Sequence, residues 1–150
     1  MAFLRKIYRN IFKKDGEFKG LVFKALIYAM QVRFMMLFVK FKRYEKRLGT
    51  RGKKDDSAIS EDQMKVVMKV KSAVIGVSKY TPWESKCMVQ AVAAKWLLEK
   101  YNIPSTIYFG IMKDPENNAE LKAHAWLIVG EYVMTGREGH KAFKVVNFYS

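Results

Sequence analysis

At 150 residues, half of them apolar or aromatic, the chain has the length of one domain and enough apolar side chains for a core of native size. Its single cysteine excludes an intramolecular disulfide and leaves too few thiolates for a cysteine-rich zinc site, so the expected address is cytoplasmic. The net charge of +14 is unevenly spread: residues 1 to 54 hold sixteen Lys or Arg against Asp15, Glu17 and Glu45, a net of +13, and the rest of the chain balances to +1.

That basic third is also apolar. From Gly20 to Phe41, "GLVFKALIYAMQVRFMMLFVKF" has the length of a membrane span, yet Lys24, Arg33 and Lys40 cut it into uncharged runs of eight and six residues. Such runs fall short of the ~20 apolar residues that cross a bilayer. Lys24 also interrupts any secretory h-region, and no A-x-A cleavage pattern follows. On a helical projection Lys24 and Lys42 fall on one side and Arg33 and Lys40 on the other, so the polar positions share no face and the helix needs cover on most of its circumference. Two readings stand. One is a helix buried against the domain with its Lys and Arg stems reaching water; the other is a docking surface for a partner protein or an anionic membrane.

Residues 47 to 60, "RLGTRGKKDDSAIS", replace apolar side chains with Gly, Ser and mixed charge and read as a linker. Gly49, Gly52 and Lys53 do not make a phosphate loop: a Walker motif needs four residues between its glycines and Ser or Thr after the Lys, whereas two stand here and Lys54 follows. Ser60 with Gln63 forms a capping-box start, and Met64, Val67, Met68, Val74, Ile75 and Val77 carry an amphipathic helix to about Ser78, with Pro82 ending that stretch.

Ser85 is the expected N-cap of the next helix, in which Met88, Val89, Val92, Trp96, Leu97 and Tyr101 recur at three- and four-residue steps. Cys87 therefore falls in its first turn, and "NIP" at 102 to 104 ends it. "STIYFGI" reads as a strand and "MKDPENNAEL" as a loop turning at Asp114-Pro115. "KAHAWLIV" and "YVMTG" flank a two-residue hairpin loop, Gly130-Glu131, and "FKVVNFY" supplies a last strand. The fold class is α+β, with a helix preceding an antiparallel sheet.

A thiol at a helix N-terminus feels the helix dipole and the free backbone N–H groups, both of which favour thiolate over thiol. The same N–H groups can donate to an oxyanion formed when the thiolate attacks a carbonyl. A histidine on a neighbouring strand can take the proton and pass it to a leaving amine, so Cys87 and His124 form a candidate catalytic pair with papain-like architecture. The alternative is equally concrete: a lone Cys is among the most buried residue types, and a His between alanines on a strand commonly serves the sheet.

"SKCMVQAVAAKWLLEKYNIPSTIYFGI" followed by "AHAWLIVGEYVMTG" resembles the transglutaminase-like leader peptidases of lasso-peptide biosynthesis, in the short form whose leader-binding domain is a separate protein. Trp83, Ser85, Cys87, Ala91, Ala93, Ile103, Pro104, Gly110, Ala123, His124, Ala125 and Trp126 carry the likeness, which runs from about Trp83 to Phe148. It implies a papain/transglutaminase-like core over residues 56–150, a helix packed on an antiparallel sheet, behind a basic apolar helical extension over 1–55. It further implies cysteine-peptidase removal of the leader from a precursor peptide, without cofactor or metal. The core peptide would pass to a macrolactam synthetase. A related Cys-His acyltransferase or transglutaminase would use the same residues, and an inert interaction domain would use neither.

The resemblance also implies a third catalytic residue, usually Asp, on the strand paired with that of His124. With Val129 opposite Tyr132, His124 lies opposite Arg137, and the Asp position falls near Gly136, where no Asp stands. Glu138 is the nearest carboxylate and reaches the right face only through a bulge, which "TGREG" permits. Glu138 is therefore preferred to Glu131, which sits in the turn, while a backbone carbonyl or Asn147 remains an alternative partner for the imidazole. Thr81 stands where a papain-type upstream Gln would supply a second oxyanion donor. A peptidase without its own recognition domain must be brought to its substrate, so the basic third is expected to dock the separate leader-binding protein, with peripheral membrane contact as the rival. Nucleic acid is not expected as a partner: no helix-turn-helix or zinc-finger pattern occurs, and the charge is interleaved with large apolar residues.

Overall fold

The computed structural model describes residues 15–81 and 86–150. Helix α1, Gly16–Phe38, begins at Asp15, whose carboxylate accepts the Phe18 N–H at 3.2 Å, and so starts before the apolar stretch itself. The backbone turns extended at Val39 and Lys40, and the chain resumes as the single turn α2, Phe41–Tyr44, and a 3₁₀ turn over Glu45–Leu48. Helix α3, Glu61–Ser78, opens with the expected capping box: Ser60 Oγ accepts the Gln63 N–H at 3.2 Å and Gln63 Oε1 accepts the Ser60 N–H at 3.0 Å.

Helix α4, Lys86–Glu99, is the central helix. Its expected N-cap Ser85, together with Pro82 and Trp83, lies outside the described residues. Every residue from Ala91 to Leu98 is buried, and the small side chains of Ala91 and Ala94 let α1, α3 and the sheet approach on different sides. It stops at Glu99, two residues before the expected end, because Asn102 takes a left-handed φ of 53° and turns the chain back. The N–H groups of Asn102 and Ile103 then donate to the carbonyls of Glu99 and Leu98, both at 3.1 Å.

The sheet has four antiparallel strands in the order β3-β2-β1-β4: β1 Thr106–Lys113, β2 Leu121–Val129, β3 Tyr132–Thr135 and β4 Lys144–Tyr149. The α+β expectation holds. Strand β1 runs two residues further than expected, since Met112 and Lys113 pair with Lys122 and Leu121 instead of joining the loop. The stretch read as a linker is tied down at its start: Leu48 is fully buried, the Thr50 N–H donates to the Ser150 carbonyl at 2.8 Å, and Arg51 bridges to Tyr149.

Strand alternation divides the sheet into two faces. Ile107, Ala125, Leu127 and Val129 join the helical core with Val92, Leu97 and Leu98. Gly110, His124 and Trp126 belong to the opposite face by the same alternation. Leu21, Ala25, Ala29, Val32 and Met35 of α1 enter the same core, so α1 packs against α3 and α4. By length and composition α1 is long and apolar enough to cross a membrane, Lys24 and Arg33 notwithstanding; here one of its sides is occupied by protein.

Candidate active site

Cys87 lies in the first turn of α4 and is half-buried. A residue this close to a helix start has beside it backbone N–H groups that no helical carbonyl takes up, the arrangement that stabilises a thiolate or an oxyanion. Gln90, one turn further along, donates from Nε2 to Ser78 Oγ at 2.8 Å, and so anchors the start of α4 to the end of α3.

His124 lies on β2 opposite Gly110 of β1. Its Nε2 is 2.7 Å from the Gly136 carbonyl oxygen, a contact in which the ring N–H donates and which leaves Nδ1 as the unprotonated nitrogen of a neutral ring. An aromatic layer holds the ring: Phe143 lies 5.0 Å away and Trp126 is stacked at 5.8 Å, centroid to centroid. Trp126 in turn stacks on Tyr108 at 5.7 Å, and Tyr108 on Phe148 at 5.5 Å. Gly110 makes room for this layer, since a Cβ there would meet Phe143 and the Trp126 ring at 2.8 and 2.9 Å.

The structure thus carries Cys87 and His124 on two elements that pack together, and gives the histidine an acceptor for one nitrogen. It does not join the two side chains by a hydrogen bond. The His124 ring shares its face of the sheet with Trp126, whereas α4 packs on the other face.

Glu138 is exposed and makes no hydrogen bond to His124, and Glu131 sits in the β2–β3 turn as its position implied. A bulge does occur: the register moves from Leu127↔Thr135 to Ile128↔Val133. Yet β3 ends at Thr135, and Gly136, at φ 69°, turns the backbone before Glu138 can pair with β2. Asn147 is engaged elsewhere: its Oδ1 accepts from Arg51 Nε at 3.2 Å and its Nδ2 donates to the Tyr149 hydroxyl at 2.7 Å. Of the partners considered for the imidazole, the backbone carbonyl is the one in contact. Thr81 Oγ donates to the Ser78 carbonyl at 3.4 Å and caps the turn after α3.

Two features had no clear signal in the sequence. Gly136 was marked as the place where the Asp position falls, with nothing to single out its own carbonyl as the acceptor, and the aromatic layer showed only as alternate large residues on β1, β2 and β4. Lys95 was masked by its apolar neighbours: it is buried on α4, with Nζ 3.2 Å from the Ser105 carbonyl and 3.5 Å from Glu99.

The model of the transglutaminase-like superfamily core matches residues 28–147, and the chain belongs to that superfamily, which includes cysteine peptidases and acyltransferases. No curated protein and no solved structure shows significant similarity to the chain.

Proposed function

We propose that the protein is a cysteine peptidase of the lasso-peptide maturation kind, with Cys87 as nucleophile and His124 as its base. The observation that carries this reading is the placement of the sole cysteine in the first turn of the central helix, within a transglutaminase-like core that also supplies a strand histidine. The Cys87 thiol gives its proton to His124 Nδ1 and the sulfur attacks the scissile carbonyl, while N–H groups at the α4 start stabilise the oxyanion. The imidazolium then protonates the leaving amine, and water hydrolyses the thioester with the same histidine as base. The Gly136 carbonyl takes the role of the missing Asp by fixing the tautomer. Because the ring lies on the sheet face away from α4, rotation alone does not bring it to Cys87, and the catalytic pair forms only when β2 shifts against the start of α4. A separate leader-binding protein supplies recognition by raising the local concentration of the precursor, and the released core peptide goes to a macrolactam synthetase.

A second reading has its own observation. His124 packed on Trp126 and Phe143, on the sheet face away from α4, is also what a structural histidine looks like, and the chain would then be an interaction domain built on the same core.

Thiol alkylation separates the two without knowledge of the substrate. For the peptidase, iodoacetamide at pH 6 modifies Cys87 faster than a free thiol, and His124→Ala slows it by about tenfold or more. Equal rates in the two proteins would mean a structural histidine. With a precursor and its leader-binding protein, Cys87→Ala should abolish leader release while leaving circular dichroism unchanged; full cleavage by that variant would end the peptidase reading.

A further inference from the structure

The core takes up only one side of α1. The opposite side presents Phe23, Ile27, Met30, Phe34, Leu37 and Phe38 to solvent, with Phe23, Phe34 and Phe38 exposed at 64%, 59% and 73%. Steps of three and four residues place these side chains in a single stripe about 100° wide that extends for about 23 Å of helix. The Phe34 and Phe38 rings touch at 4.8 Å between centroids, so the stripe is continuous at its C-terminal end, where Phe41 of α2 is also exposed.

The polar positions of α1 acquire a meaning from this stripe. With Phe34 at the centre, Lys24 projects about 80° to one side and Arg33 about 100° to the other, so a cation borders each edge. Lys40 and Lys42 lie at its C-terminal end, and between Glu17 and Glu45 the chain has no acidic residue. Among the described residues, Lys24, Arg33, Lys40 and Lys42 enter no ion pair.

We propose that α1 lies flat on an anionic lipid surface, with its phenylalanine stripe in the acyl–headgroup boundary and its flanking cations among the phosphates. An apolar stripe edged by Lys and Arg is the pattern of interfacial helices, whose apolar face sinks about 5–10 Å below the headgroups. A transmembrane pose is opposed by the packing of Leu21, Ala25 and Val32 against α3 and α4, which would have to be stripped from the core. A protein partner would need acidic groups on both margins of a long apolar ridge, whereas an anionic bilayer offers both at every position. The inference is independent of catalysis at Cys87.

The test is co-sedimentation of the full chain with vesicles of phosphatidylcholine plus phosphatidylserine, and with phosphatidylcholine alone. The native protein should pellet with the mixed vesicles and far less with the neutral ones, and raised salt should weaken the binding without abolishing it. Phe34→Ser with Phe38→Ser should lower the partition by about tenfold or more. Phe23→Ser, at the far end of the stripe, should lower it independently. Circular dichroism and thermal unfolding establish that each variant is folded. Absence of pelleting, or native partition in all the serine variants, overturns the proposal, because the basic residues alone would then account for any binding. A stable dimer dissociated by the same substitutions also overturns it, since a second copy would be the occupant of the stripe.

Discussion

Gly136 does two things at once. Its φ of 69° ends β3, and its carbonyl accepts from His124 at 2.7 Å. A Cβ at this position would collide with the Ala125 carbonyl oxygen and lie 2.8 Å from Trp126 Cβ, both on the strand that carries the histidine. Gly136→Ala should therefore cost about 2 kcal/mol or more in denaturant unfolding and shift the His124 ring signals in NMR. An unchanged spectrum would mean that the carbonyl does not position the ring. Lys95 makes a different residue-scale argument. Burial lowers its pKa from the ordinary 10.5, opposed by the Glu99 carboxylate. The unfolded chain then holds a proton that the folded chain has shed, so stability rises with pH from the lowered folded value up to about 10.5. Lys95→Met, which keeps the length of the stem, should flatten this rise in stability on the alkaline side as pH approaches 10.5. A persisting slope would assign the effect to another group.

At the scale of elements, what could be read in the sequence was what is decided locally. The start of α3 was legible because Ser60 and Gln63 satisfy each other's backbone N–H groups within four residues, and the β2–β3 hairpin because Gly130 supplies a φ of 58° at the turn. The end of β3 was not legible. Gly136 turns the chain against the Ala125 carbonyl and Trp126, an approach across the hairpin that no local pattern announces, so β3 stops at Thr135 before it reaches Glu138. Helix α1 was legible as a helix and not as two faces, because its apolar residues surround it and only the core decides which half is covered. That packing carries a prediction. Deleting residues 1 to 55 exposes the sides of α3 and α4 that Leu21, Ala25, Val32 and Met35 now cover. The truncated protein should lose its cooperative thermal transition and bind a hydrophobic dye. A sharp transition near the native temperature would show that the remaining core suffices alone.

Across the whole molecule, packing joins neighbours in sequence, as α3 with α4, β1 with β2 and β2 with β3, and distant elements as well, as α1 with α3 and α4 and β1 with β4. The pairing that closes the fold is the most distant. Arg51 bridges Tyr149 and donates to Asn147, 96 residues away, while the Tyr149 hydroxyl donates to Glu45 at 3.0 Å, 104 residues away. Among the described residues such contacts close the longest loops, so their closure entropy is the largest to be offset during folding. On a ribosome, α3, α4 and the β1–β2–β3 meander have all emerged before β4 exists, and β1 waits with an unpaired edge that Phe109 and Ile111 make apolar. The last-formed seam between residues 45–51 and 144–149 thus sets the interval during which the nascent chain is open to aggregation.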